Sequence, residues 1–149
     1  MLEITKLCPT AFLPKRIPMK STKYQVIIEP FAQRHFIKSF AKRYHSAWEF
    51  TFKFVRDEFE QIDLLFLKNT AETIVDSAEI KICKTEFKIA GTKESRHSSG
   101  NRCIVAVHTV TNEVRVLLIY AKTDLSSKGE TADWKRIVKD NYPEYKHLF

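Results

Sequence analysis

The chain has 149 residues, 44% hydrophobic and 12% aromatic, which is enough apolar side chain for one packed domain and too much for a disordered chain. Only three glycines are present, so a Gly-rich phosphate loop of the Walker or dinucleotide kind has no material, and nucleotide-driven chemistry is not expected. Lys and Arg outnumber Asp and Glu by 25 to 18, for a formal charge of +7, which favours a polyanionic partner, whether nucleic acid or an acidic protein.

Residues 1 to 22 carry Pro9, Pro14 and Pro18 without sustained periodicity and are expected to form an extended tail, leaving residues 23–149 as the folded domain. Tyr24 to Glu29 reads as a short strand, and Pro30 suits the first turn of a following helix, where its missing N–H costs nothing. Phe36, Ile37, Phe40 and Tyr44 recur at helical spacing against Arg34, Lys38, Lys42 and Arg43, predicting an amphipathic helix over residues 30–43. Ser46-Ala47-Trp48-Glu49 fits a capping box. A second, long helix is expected there, burying Trp48, Phe52, Val55, Phe59, Ile62 and Phe66.

From Ala78 the period changes. Ile80 and Ile82 share one parity and Phe87 and Ile89 the other, which predicts a phase slip near Lys84. Arg102–His108 and Val114–Ala121 are nearly continuous apolar strands around Thr111-Asn112-Glu113, as in a central hairpin covered on both faces. Glu130–Asn141 reads as a final helix, ended by Pro143. The expected order is β-α-α-β-β-β-α: an α+β domain with a small antiparallel sheet, an α-helical hairpin packed on one face, and a C-terminal helix.

Cys8, Cys83 and Cys103 form no pair at metal-ligand spacing, so buried thiols in a reducing compartment are expected, with no disulfide framework and no zinc site. The longest apolar run, Val116–Ala121, is far shorter than a bilayer span, and the first residues lack a basic n-region. A cytoplasmic protein is the expectation.

The stretch Gly91–Arg102 joins two strands and carries Lys93, Arg96, His97 and Arg102. A mobile basic loop beside a sheet can hold phosphate, although the same composition also suits a solvated hairpin. Within and beyond it, Ser99-Gly100-Asn101-Arg102-Cys103-Ile104-Val105 followed by Val116-Leu117-Leu118-Ile119-Tyr120-Ala121-Lys122 resembles the end of RelE-family toxins, especially the HigB-like branch of the RelE/ParE superfamily. The resemblance spans residues 23 to about 141. It implies a RelE-like fold and the toxin half of a type II toxin–antitoxin pair: an mRNA interferase that cleaves mRNA, commonly on the ribosome, and inhibits translation without a metal or other cofactor. A cognate antitoxin, mRNA and the ribosome are the implied partners. The related ParE-like branch poisons gyrase instead.

Carried over by resemblance, Arg102 matches the family's strand arginine, Gly100 its turn glycine, Tyr120 and Lys122 the end of its last strand, and Lys88 a basic position of the preceding strand. Glu86, Asn101 and Ser126 depart from the pattern. Glu86 stands where a second cation is usual.

The chemistry follows from the residue types. RNA is cut by its own 2′-hydroxyl when a base removes that proton, cations stabilise the phosphorane, and an acid protonates the leaving 5′-oxygen. Arg102 and Arg96 offer guanidinium forks that match phosphate oxygens. Lys88 or Lys122, crowded by other cations, are candidate bases. His97, as an imidazole able to give or take a proton, suits the acid. Lys84, Lys93 and His97 are expected to contact the RNA, and Tyr120 to stack on a base. His35, His45, His108 and His147 are scattered, and Asp57, Glu58 and Glu60 read as the wet face of a helix. Two alternatives stand beside this expectation: a non-catalytic nucleic-acid or protein-binding module on the same scaffold, and a gyrase-poisoning toxin.

Overall fold

The computed structural model describes residues 23–125 and 129–149; the tail assigned to residues 1–22, and with it Cys8, lies outside the described residues, as does Ser126. Strand β1 (Gln25–Ile28) leads into a helical run α1, composed of Pro30–Ala32, a π-wound segment Gln33–Ile37, and Lys38–Tyr44. Pro30 occupies the start of this run, as its fixed φ predicts. Helix α2 (Ser46–Glu60) and the short α3 (Ile62–Leu67) follow, then β2 (Ala71–Asp76), β3 (Ile80–Phe87), β4 (Asn101–His108) and β5 (Glu113–Ala121). After a 3-10 turn at Lys122–Asp124 come α4 (Glu130–Asn141) and a closing 3-10 segment, Pro143–Leu148.

The architecture is α+β. Among the described residues, five strands form one sheet in the order β1-β5-β4-β3-β2, antiparallel except for the parallel pair of β1 with β5. Strand β2 is absent from the sequence-derived order. Its six residues alternate poorly, with Glu72 and Thr73 both exposed, so the period-2 signal of an edge strand is weak there.

The two faces of the sheet are covered by different elements. Cys83, Phe87, Cys103, Val105, Val107, Val116 and Ile119 pack with Phe40, Trp48, Val55 and Phe59 of α1 and α2. Ile82, Ile104, Ala106, Leu118 and Tyr120 pack instead with Trp134, Val138, Tyr142 and Tyr145. Helices therefore cover both faces, not one. The same fact removes the expected slip near Lys84, because β3 pairs with β4 in unbroken register from Ile80↔His108 to Phe87↔Asn101. Both parities of β3 are apolar because both of its faces are buried.

The register shifts lie elsewhere, between Thr73 and Val75 and beside Ile104 and Val105. At the second, Ile104 pairs with Leu118 while Val105 pairs with Val116, so Leu117 is the extra residue of a β-bulge. The Tyr142 hydroxyl donates to the Leu117 carbonyl at 2.7 Å, satisfying the oxygen that bulging diverts from the ladder. The bulge flips the parity of everything after it. Tyr120 thus lands opposite Arg102, where an unbulged strand would have placed Ile119.

The helical hairpin turns at His45, whose φ of 52° is unusual for a non-glycine residue. Trp48 N–H bonds the His45 carbonyl at 3.0 Å, and α2 begins at Ser46 with no side-chain cap, so the expected capping box does not form. The helix also breaks at Gln61 instead of continuing as one long arm. Its aromatic line is nonetheless internal: Phe40 stacks on Trp48 with centroids 4.8 Å apart, and Trp48 on Phe52 at 5.2 Å. Such pairs each add about 0.5–1.5 kcal/mol beyond burial, and the Phe40–Trp48 pair joins the two arms of the hairpin.

Candidate functional site

A row of three cross-strand neighbours crosses the sheet on the α4 side: Glu86 on β3 faces Arg102 on β4, and Arg102 faces Tyr120 on β5. The Arg102 side chain is 4% exposed, and its guanidinium lies between two carboxylates, with Nη2 3.3 Å from Glu86 Oε2 and Nε 3.7 Å from Glu130 Oε2. Its Nη1 also donates to its neighbour's carbonyl at Asn101, 3.2 Å away. Glu130 opens α4, where an acidic residue is favoured by the exposed N–H groups of the first turn. It accepts the Tyr120 hydroxyl at 2.7 Å. Burial, and then this hydrogen bond, push the Tyr120 hydroxyl pKa well above its ordinary value.

Glu86 has a second partner. His97 Nδ1 lies 2.8 Å from Glu86 Oε2, and the imidazole is 83% exposed. A neutral imidazole donating from Nδ1 presents Nε2 as an acceptor. The groups form one chain from interior to solvent: Tyr120, Glu130, Arg102, Glu86, His97. Above this chain opens a groove of about 620 Å³, whose walls include Lys84, Glu86, His97, Arg102 and Lys122. Lys84 is 3.9 Å from Glu72 across the β2–β3 ladder. Lys122 is exposed and has no carboxylate within ion-pair distance among the described residues. Its position is set by Gly100: the Lys122 N–H donates to the Gly100 carbonyl at 2.7 Å, and Gly100 has φ 77°, which only glycine adopts without strain.

The loop before β4 is pinned, contrary to the mobile basic loop expected from composition. Arg96 donates from Nε to the Glu86 carbonyl at 3.0 Å and forks onto Glu58 of α2 at 2.9 and 3.0 Å. Ser99 Oγ adds bonds to the carbonyls of Phe87 and Arg96 at 2.6 and 2.7 Å.

Of the residues singled out from sequence, Lys84, Arg96, His97, Arg102 and Lys122 share the groove. Lys88 does not. It lies beside a separate apolar slot against α2, its ammonium 3.5 Å from the Thr92 carbonyl. Lys93 is exposed on the loop, outside the groove lining. Tyr120 is completely buried, so its ring has no face to offer a base. Arg96 and Arg102 are occupied by carboxylates, and their guanidinium groups organise the loop and the sheet end. Sequence reasoning missed Glu130 altogether. Its only sequence signal was an acidic residue at a predicted helix start, which ordinary capping explains equally well.

No protein-family model matches the chain, and no curated protein matches it. Among solved structures, the chain is similar to one in the crystal structure of the archaeal RelE-RelB complex from Pyrococcus horikoshii OT3, at 14% identity and a TM-score of 0.48, covering 69% of this chain and 99% of that chain. Among the described residues, no helix is long and apolar enough to cross a membrane.

Proposed function

We propose that the chain is a RelE-type toxin of the HigB-like kind, neutralised by a cognate antitoxin, and that it cleaves mRNA on the ribosome at the α4-side groove, halting translation. The observation that carries this reading is the His97–Glu86 pair at 2.8 Å on the wall of a groove shared with Lys84 and Lys122. It is joined by the sequence resemblance around Gly100, Arg102 and Tyr120-Ala121-Lys122.

In this reading Glu86 fixes the ring and tautomer of His97, and Nε2 removes the 2′-hydroxyl proton. The 2′-oxygen forms a bond to phosphorus as the bond to the 5′-oxygen breaks. The Lys122 ammonium stabilises the phosphorane and then donates a proton to the departing 5′-oxygen. The products are a 2′,3′-cyclic phosphate and a 5′-hydroxyl end. Lys84 holds the neighbouring phosphate. His97 thus becomes the base and Lys122 the acid, the reverse of the roles expected from sequence, because the carboxylate partner belongs to His97.

The test is cleavage of a defined mRNA, with and without ribosomes, by the wild-type chain and by His97→Ala and Lys122→Ala. Wild-type cuts with cyclic-phosphate ends, reduced about 100-fold or more by either change, are the expected result. Uncut RNA in every sample would refute the assignment. A second reading, a phosphate-binding module without cleavage, is favoured by the way carboxylates at Glu58, Glu72, Glu86 and Glu130 engage Arg96, Lys84 and Arg102. It predicts salt-sensitive RNA binding with intact RNA.

A further inference from the structure

Phe50 and Phe54 stand one turn apart on α2 with 73% and 59% of their surfaces exposed, against a slot of about 310 Å³ floored by Val55 and Phe87. Aromatic side chains at (i, i+4) spacing present their rings on the same helix face. Apart from the Lys88 ammonium, the polar side chains of the slot wall are engaged with the protein itself. Thr51 Oγ1 donates to the Ala47 carbonyl at 2.8 Å and accepts the Ala90 N–H at 2.7 Å. Both oxygens of Glu58 accept from Arg96. An occupant is therefore held by its apolar or π surface and not by hydrogen bonds to the wall.

Two observations identify the occupant. Among the described residues, Lys88 stands at the slot with one long contact, to the Thr92 carbonyl at 3.5 Å, leaving its ammonium suited to an anion. Arg96 lines both this slot and the α4-side groove, so the two cavities share a wall around the C-terminal end of β3. A flat, stackable group tied to a phosphate chain matches both features.

We propose that this slot is a stacking site for one unpaired base of single-stranded RNA whose backbone passes into the groove, with Lys88 on the adjoining phosphate. The proposal rests on the reading of the groove as an RNA site. With Thr51 and Glu58 engaged and Lys88 assigned to the phosphate, the base is held by its ring face, so the slot accepts any base, favouring purines for their larger face. It also gives Lys88 a role outside the reaction centre.

The experiment titrates the full chain with a short single-stranded RNA bearing 2-aminopurine, next to the same oligomer made abasic at that position. His97→Ala is the background, to prevent cutting. The expected result is fluorescence quenching on binding and about tenfold or tighter affinity for the base-bearing oligomer. Changing both Phe50→Ala and Phe54→Ala, exposed positions whose loss leaves the core intact, abolishes the quenching and the preference for a base. Circular dichroism and a thermal melt matching the parent verify the fold of this variant. Equal affinity for both oligomers, or quenching that survives the two changes, overturns the slot while leaving the groove reading in place. Absence of RNA binding by the parent overturns both. Self-association that disappears in the Phe50/Phe54 variant, with RNA binding unchanged, assigns the slot to a protein surface and overturns the proposal.

Discussion

Replacing Arg102 by Met removes the charge at the centre of the buried chain while roughly keeping the volume. Breaking a buried ion pair by deleting one partner costs about 3–5 kcal/mol, because the remaining charge is stranded. Here Glu86 and Glu130 are 28% and 18% exposed, and each keeps another partner, His97 or Tyr120. Their residual hydration places the loss at the lower end, about 3 kcal/mol. At about 3 °C per kcal/mol for a chain of this size, the Tm falls by about 9 °C. Urea unfolding at pH 7 should show a lower midpoint with an unchanged slope. Combining Arg102→Met with Glu86→Gln and Glu130→Gln removes the stranded charges and should recover at least half of the loss. A single-variant loss below about 1 kcal/mol, or no recovery in the triple variant, would refute the idea that Arg102 is held as an interior counter-ion.

Tyr120→Phe deletes the hydroxyl donated to Glu130 at 2.7 Å and should cost about 1–2 kcal/mol in the same melts; an unchanged midpoint would contradict the contact. His108, bonded to the Tyr145 hydroxyl at 2.7 Å, has its pKa lowered from 6.5 by burial and then by Arg115. As pH falls below 6.5 the unfolded chain takes up this proton before the folded one, so the stabilisation present above 6.5 is lost as pH approaches the depressed folded value. His108→Gln should flatten that part of the stability–pH curve, and a superimposable slope would count against the shift. Burial pushes the Cys83 thiol up to about 11 and the Cys103 thiol further still. Both should resist iodoacetamide at pH 8 until urea unfolds the chain, as read by peptide mass spectrometry; rapid native labelling of Cys103 would be inconsistent with its burial.

The elements that sequence predicts well are those with a periodic apolar face or an apolar run bounded by a turn signal. Residues 30–44, the strands around Asn112 and the helix at Glu130–Asn141 carry their own signals, and Asn112 takes the positive φ (55°) that a tight turn requires. What is lost is information held between elements. An apolar β3 of both parities means either a slip or two covered faces, and only the placement of α4 decides between them. Likewise the bulge at Leu117 has no local marker: the run Val116–Ala121 is apolar with or without it. That extra residue nonetheless selects Tyr120 as the neighbour of Arg102. Five of the eight residues singled out from sequence do converge on one groove, because strand alternation places Lys84 and Arg102 on one face. Lys88 has the same parity as Lys84 but follows the end of β3, so alternation no longer governs where it points.

The acidic residue at position 86 changes the meaning of the other cations. A Lys or Arg there would stand directly across the ladder from Arg102, and like charges in that position repel. Two cations would then have to turn toward solvent, where a phosphate could bridge them. With Glu86 the pair closes on itself, Arg102 sinks to 3% exposure, and the carboxylate oxygen that meets Arg102 also meets His97 on its solvent side. In the proposed reaction, phosphate contact then falls to Lys122, whose N–H bonds the Gly100 carbonyl, and acid–base work to the histidine. The guanidinium that draws attention in the sequence therefore acts from beneath the groove, and a substitution there should be read first in stability and only through His97 in any reaction.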